Sequence, residues 1–186
     1  MERRESLKQI FQYGGCVGCL TLLGLTNKVD EPQSQEKDFE TIKREGEFVQ
    51  NWLSDLMNTI DHELDDDSKA KLMTGTGKGC FDRHKFKQDI AAKGRGNLDK
   101  LIDAYKQNFE IWRDGNKVHI RYGEVSKGCY CPAARYRATK PNDLHCECTR
   151  NTHKTIFETA LGKPAKIDIV ETVRRGGKTC HFVVEV

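Results

Sequence analysis

Phe109-Glu110-Ile111-Trp112-Arg113, the turn Asp114-Gly115 and then Lys117-Val118-His119-Ile120-Arg121-Tyr122 alternate apolar and polar side chains on either side of a glycine turn. That is the pattern of a β-hairpin with one face buried. Upstream the period is different. From residue 36 to about 61, Phe39, Ile42, Phe48, Trp52, Leu53, Leu56, Met57 and Ile60 recur at three- and four-residue intervals, the stripe of an amphipathic helix. The change of period near residue 108 decides the fold class: α+β, with N-terminal helices (36–107) packed on a C-terminal antiparallel sheet (108–186).

The remaining elements follow from local signals. Asp65-Asp66-Asp67-Ser68 predicts the start of a short helix through Leu72 and Met73, which Gly75, Gly77 and Gly79 stop, leaving Cys80 in a loop. No strand precedes those glycines and no Lys-Ser/Thr follows at phosphate-loop spacing. Helices are expected over 84–93 and 97–107, on either side of Gly94-Arg95-Gly96. Thr149 or Asn151 is expected to cap a helix bearing Ile156, Phe157, Ala160 and Leu161, ended by Gly162 and Pro164. Strands over 166–173 and 178–186 flank Arg174-Arg175-Gly176-Gly177, a second hairpin.

With 186 residues, 37% hydrophobic and 32% charged, the chain has room for one core and lacks the apolar content of a protein that is membrane-embedded throughout. Its net charge of +3 is unevenly spread: acidic groups outnumber basic ones up to residue 110, and basic groups dominate afterwards. That excess suits an anionic ligand or offsets metal-bound thiolates. No aromatic-basic stripe or known binding motif accompanies it, so nucleic acid is not an expected partner.

Glu2-Arg3-Arg4-Glu5-Ser6-Leu7-Lys8 precedes an uncharged run from Ile10 to Leu25. A basic start and a short apolar stretch is the design of an export signal, and the run is shorter than the ~20 residues that span a bilayer. Residues 1–26 are read as the signal segment, 27–35 as a linker and 36–186 as a single domain. The expected location is the periplasm or cell envelope, with membrane contact only through the signal segment. The competing reading makes residues 1–26 an N-terminal helix of a cytoplasmic protein, with Cys16 and Cys19 as a redox or metal pair.

Of eight cysteines, six lie between Cys80 and Cys180. On an extended strand, residues two apart project from one face with Cα atoms ~6–7 Å apart, so Cys129 with Cys131, and Cys146 with Cys148, can each aim at one point. The intervening loop is long enough to bring the pairs together into a four-thiolate site for zinc or an iron-sulfur cluster. A helix N-terminus beside Cys148 would favour its thiolate. Cys80, Cys180 and His145 are weaker candidate ligands. Disulfides in an oxidising compartment and free thiols are the other two readings. His153 and His181 read as packing residues.

The runs Gly128-Cys129-Tyr130-Cys131-Pro132, His145-Cys146-Glu147-Cys148-Thr149, Ile156 to Pro164 and Gly177 to Phe182 resemble a poorly characterised bacterial cysteine-rich family over roughly residues 75–186. Arg3-Arg4 followed by Leu7-Lys8 resembles a twin-arginine signal, with Ser6 where an aromatic or large apolar residue is usual; that resemblance implies export of an already folded protein. The segment from Ile169 to Phe182 is distantly similar to the ending of 4-vinyl reductase domains and of L-2-amino-thiazoline-4-carboxylic acid hydrolase-like relatives. Thr172 or Val173 stands where the first cysteine of that ending is usual. The resemblance implies a small α+β ligand-binding domain with a metal-associated cysteine site. The function expected is an exported small-molecule-binding or sensory domain with a cysteine-ligated metal. Alternatives are a metal- or thiol-dependent hydrolase of a small substrate and a disulfide-stabilised interaction domain without cofactor.

Overall fold

Asp65 closes one helix and opens the next: its carboxylate accepts from the Ser68 amide at 2.8 Å and the Ser68 hydroxyl at 3.0 Å, satisfying donors that a helix start leaves orphaned. It separates α1 (Pro32–Glu63) from α2 (Asp66–Arg83) in the computed structural model, which describes residues 32–135 and 137–186. The signal segment 1–26, Cys16, Cys19 and most of the linker 27–35 lie outside the described residues. Next come α3 (Lys85–Lys93) and α4 (Leu98–Tyr105), the latter capped by Asn97, whose side chain accepts from the Lys100 amide at 2.9 Å. The hairpin β1 (Glu110–Asp114) and β2 (Lys117–Arg121) is followed by an irregular segment, α5 (His145–Leu161), β3 (Lys166–Glu171) and β4 (His181–Glu185).

The chain is α+β, and its antiparallel sheet runs in the order β1-β2-β4-β3. Alternation puts Ile111, Val118, Ile120, Ile167, Phe182 and Val184 on one face, with Val118 opposite Val184 and Ile120 opposite Phe182. Against them pack Ile90, Leu101, Tyr105, Ile156, Phe157 and Ala160 from α3, α4 and α5. The other face carries Trp112 stacked on His119 at 4.7 Å, with His119 Nδ1 3.0 Å from His181 Nε2. The periodicity of α1 forms a helix as expected, but Phe39, Ile42, Phe48 and Trp52 remain exposed.

Two local expectations are corrected. The three glycines do not stop α2; the helix runs through Gly75, Gly77 and Gly79 to Arg83, so Cys80 stands on a helix. The reason is tertiary. A Cβ on Gly77 would lie 2.5 Å from Asn151 Cβ and 2.9 Å from the Cys148 carbonyl oxygen, so the missing side chain lets α2 lie directly on α5. Thr152 Oγ1 bridges the seam, donating to the Gly77 carbonyl at 3.2 Å.

The second correction concerns α5, which begins at His145, ahead of Thr149 and Asn151. Asp143 starts it: its carboxylate accepts from the His145 amide at 2.9 Å and its carbonyl from the Cys146 amide at 3.2 Å. The far end is as expected, with Gly162 in the left-handed region at φ 67° and its amide bonded to the Glu158 carbonyl.

Gly77→Ala should destabilise the fold by ~1–3 kcal/mol through overpacking. Gly75→Ala, whose Cβ meets open space, should stabilise it by up to ~1 kcal/mol through helix propensity. Urea unfolding midpoints of the two variants check the contrast.

Candidate functional site

The six described cysteines are unbridged and reach one end of the domain from four separate segments: α2 (Cys80), the irregular segment (Cys129, Cys131), the first turn of α5 (Cys146, Cys148) and the approach to β4 (Cys180). The partly exposed Tyr122 marks their centre. Its phenol is held far up in pKa by burial, and then by the negative charges that Cys180, Cys80, Cys131 and Cys129 would carry. Its hydroxyl lies 3.0 Å from His153 Nε2, while the buried Tyr105 hydroxyl lies 3.2 Å from Nδ1 of the same ring. Burial drives the His153 pKa down to about 3, so this imidazole is neutral and spans the two phenols.

The expected pairing by strand alternation does not occur. Cys129 and Cys131 lie outside any strand, and Cys146 and Cys148 lie in a helix, where residues two apart face different ways. The fully buried Cys146 has its Sγ 3.0 Å from Thr172 Oγ1. Thr172 is one of the two residues standing where a cysteine is usual. Cys148 instead faces across the seam to Cys80.

That cross-helix pair is the most polarised feature of the site. The Cys80 thiol is pulled far below the ordinary thiol range by a hydrogen bond from Cys148, by Lys87, whose Nζ donates to its Sγ at 2.8 Å, and by Thr152, against the opposing cost of burial. Cys148 is pushed the other way, by its bond to Cys80 and then by burial, with a bond from Thr76 opposing. The helix N-terminus therefore does not make Cys148 the thiolate; the ammonium of Lys87 makes it Cys80.

The second pair is His145 Nε2 with Cys131 Sγ, at 3.1 Å. Burial and then the charge of Arg137 lower the His145 pKa, and burial raises that of Cys131, so both are favoured neutral. Cys180 is raised to about 11, mainly by burial; it packs against the core as a small residue.

The candidate ligands thus meet in twos, Cys80 with Cys148 and Cys131 with His145. Among the described residues no three His, Cys, Asp or Glu side chains are grouped to hold a metal ion. Sequence reasoning did not single out Lys87, Thr152, Tyr105 or Tyr122 as partners of these groups. Each acts through a contact between distant segments, and no local spacing announces it. A cleft of about 460 Å³ lies between Lys69 and Met73 of α2, Glu147 and Arg150 of α5, and Arg175.

No known protein-family profile matches the chain, and no curated protein matches it. Among solved structures it is similar to the phenol-responsive sensory domain of the transcription activator PoxR with phenol, at 7% identity and a TM-score of 0.44, over 74% of this chain and 73% of that one. It is also similar to a vinyl-4-reductase family protein from Methanocaldococcus jannaschii, at 15% identity and a TM-score of 0.33, over 88% of this chain and 99% of that one.

Iodoacetamide at about pH 6 should modify Cys80 ahead of Cys131, Cys146 and Cys180, because of these four Cys80 alone has its thiol pKa lowered. Lys87→Met should slow that reaction once it raises the thiol pKa above the working pH, roughly tenfold for each unit beyond it. Peptide mapping of timed alkylation reads both.

Proposed function

We propose that this chain is a small-molecule-binding domain of sensory type, carried out of the cytoplasm by residues 1–26, whose ligand is received at the end where the cysteines gather. The observation that carries this reading is the Cys80 thiolate. It is held by Lys87 at 2.8 Å among five further cysteines from three other segments, beside the Tyr122–His153–Tyr105 relay. A thiolate held beside an ammonium in a half-buried seam is a reactive group of the kind a ligand or an electrophile uses.

Zinc or an iron-sulfur cluster belongs to the finer part of the proposal. The donors are of the soft kind these groups take, with Cys80, Cys148, Cys129, Cys131 and His145 the residues to supply them. As placed, the donors form pairs and fall short of a tetrahedral set among the described residues.

A second reading is favoured by the same thiolate: a thiol-dependent hydrolase of a small substrate, with Cys80 as nucleophile. Alkylation confined to Cys80 abolishes turnover in that case and leaves non-covalent ligand binding as the only activity in the first.

Elemental analysis and the absorption spectrum of protein purified without oxygen test the metal part: zinc without visible absorption, or iron with it, at near one equivalent of site supports it. Absence of both metals together with saturable binding of a small compound supports the ligand reading alone. Absence of metal and of ligand binding overturns the proposal, and cell fractionation of a double Arg3→Lys, Arg4→Lys variant that is still exported overturns its export part.

A further inference from the structure

One buried carboxylate faces two buried guanidinium groups. Asp143, Arg137 and Arg174 have side chains only 3%, 6% and 4% exposed. Asp143 accepts from Arg174 Nε at 2.8 Å and Nη2 at 2.5 Å, from the His145 amide at 2.9 Å and from Arg137 Nη2 at 3.3 Å. Arg174 spends its other donors on the carbonyls of Ala134 at 3.0 Å, Arg137 at 2.8 Å and Ala138 at 2.6 Å. It is complete, and Asp143 is saturated.

Arg137 is not. Its contact with Asp143 is the longest in the cluster, and its Nε and Nη1 are buried with no hydrogen-bond partner among the described residues. A buried cation left over after its neighbours have paired is costly unless an anion completes it. Neither nearby acid serves: Glu147 is engaged by Arg175 at 2.8 Å and Arg150 at 2.6 Å, and Cys131 is held as thiol by burial. The charge of Arg137 bears on His145, whose Nε2 meets Cys131 Sγ at 3.1 Å, so this guanidinium stands close to the Cys131–His145 pair.

We propose that Arg137 anchors the anionic group of the domain's ligand, a small monoanionic carboxylate, beside the Cys131–His145 pair. The cluster carries a surplus of one positive charge, which a single carboxylate neutralises and a phosphate dianion over-fills. Planar guanidinium donors also match carboxylate oxygens in shape. The inference deepens the small-molecule-binding reading and rests on it, but it does not depend on a metal.

The test is thermal unfolding of the full chain in acetate or benzoate, against chloride at equal ionic strength, with inorganic phosphate as a further arm. The wild-type melting temperature is expected to rise saturably with the carboxylates, to rise less with phosphate, and to lose the carboxylate response in Arg137→Met. Iodoacetamide labelling of Cys80, read separately on the wild-type protein, separates failure of the thiolate reading from failure of this one. If Arg137→Met does not fold, acetate should still slow alkylation of Cys131 in the wild type. No carboxylate response beyond chloride, an equal response in Arg137→Met, unchanged Cys131 alkylation in acetate, or a stronger response to phosphate overturns the assignment.

Discussion

The ion pair between Asp143 and Arg174 holds together the part of the molecule that has no regular structure of its own. The segment between β2 and α5 makes no ladder, yet its carbonyls at Ala134, Arg137 and Ala138 all point at one guanidinium delivered from the turn between β3 and β4. The same carboxylate starts α5. A buried pair of this kind contributes little net stability against an apolar replacement, but removing one partner costs ~3–5 kcal/mol. Its effect here is geometric: it fixes where Cys129, Cys131 and His145 stand relative to the helices. Gln50, donating to the Pro132 carbonyl, and Lys140, 2.7 Å from Asp61, tie the segment to α1 as well.

The sulfur chemistry depends on a second constraint, the close approach of α2 and α5. Residues eighty and one hundred and forty-eight meet because Gly77 brings no side chain to the seam. Once they meet, the proton they compete for is assigned by Lys87. Without an ammonium 2.8 Å from Cys80 neither helix would favour one sulfur over the other so strongly, since burial acts against ionising both.

What could be read in advance was whatever local pattern determines. The alternation around Asp114-Gly115 gave both strands of the first hairpin, Asp65 and Asn97 marked helix starts, and Gly162 marked a helix end. The α+β class follows from those alone. The failures share one cause, which is that tertiary contact overrode the local signal. Three glycines at alternate positions read as a stop, and one of them is instead the point of helix contact. Cys146 and Cys148 read as strand by their spacing, although Asp143 just upstream carries the signature of a helix start. Arg174 read only as part of a turn; nothing near it in sequence foretells a partner 31 residues away. The cysteine end was legible as a place, and its pairing was not, because Cys80 joins Cys148 only once two helices are packed.

The seam at Gly77 has a mechanical corollary. Cys80 and Cys148 lie close to the point where α2 and α5 touch with no side chain between them at Gly77, so a group bonded to the Cys80 sulfur on its seam side must be accommodated by sliding or parting α2 from α5. Because α5 also lies against β3 and carries Asp143's cluster at its start, such a wedge would be transmitted along the whole helix to the sheet, converting an event a few ångströms wide into a change in the set of the domain's layers.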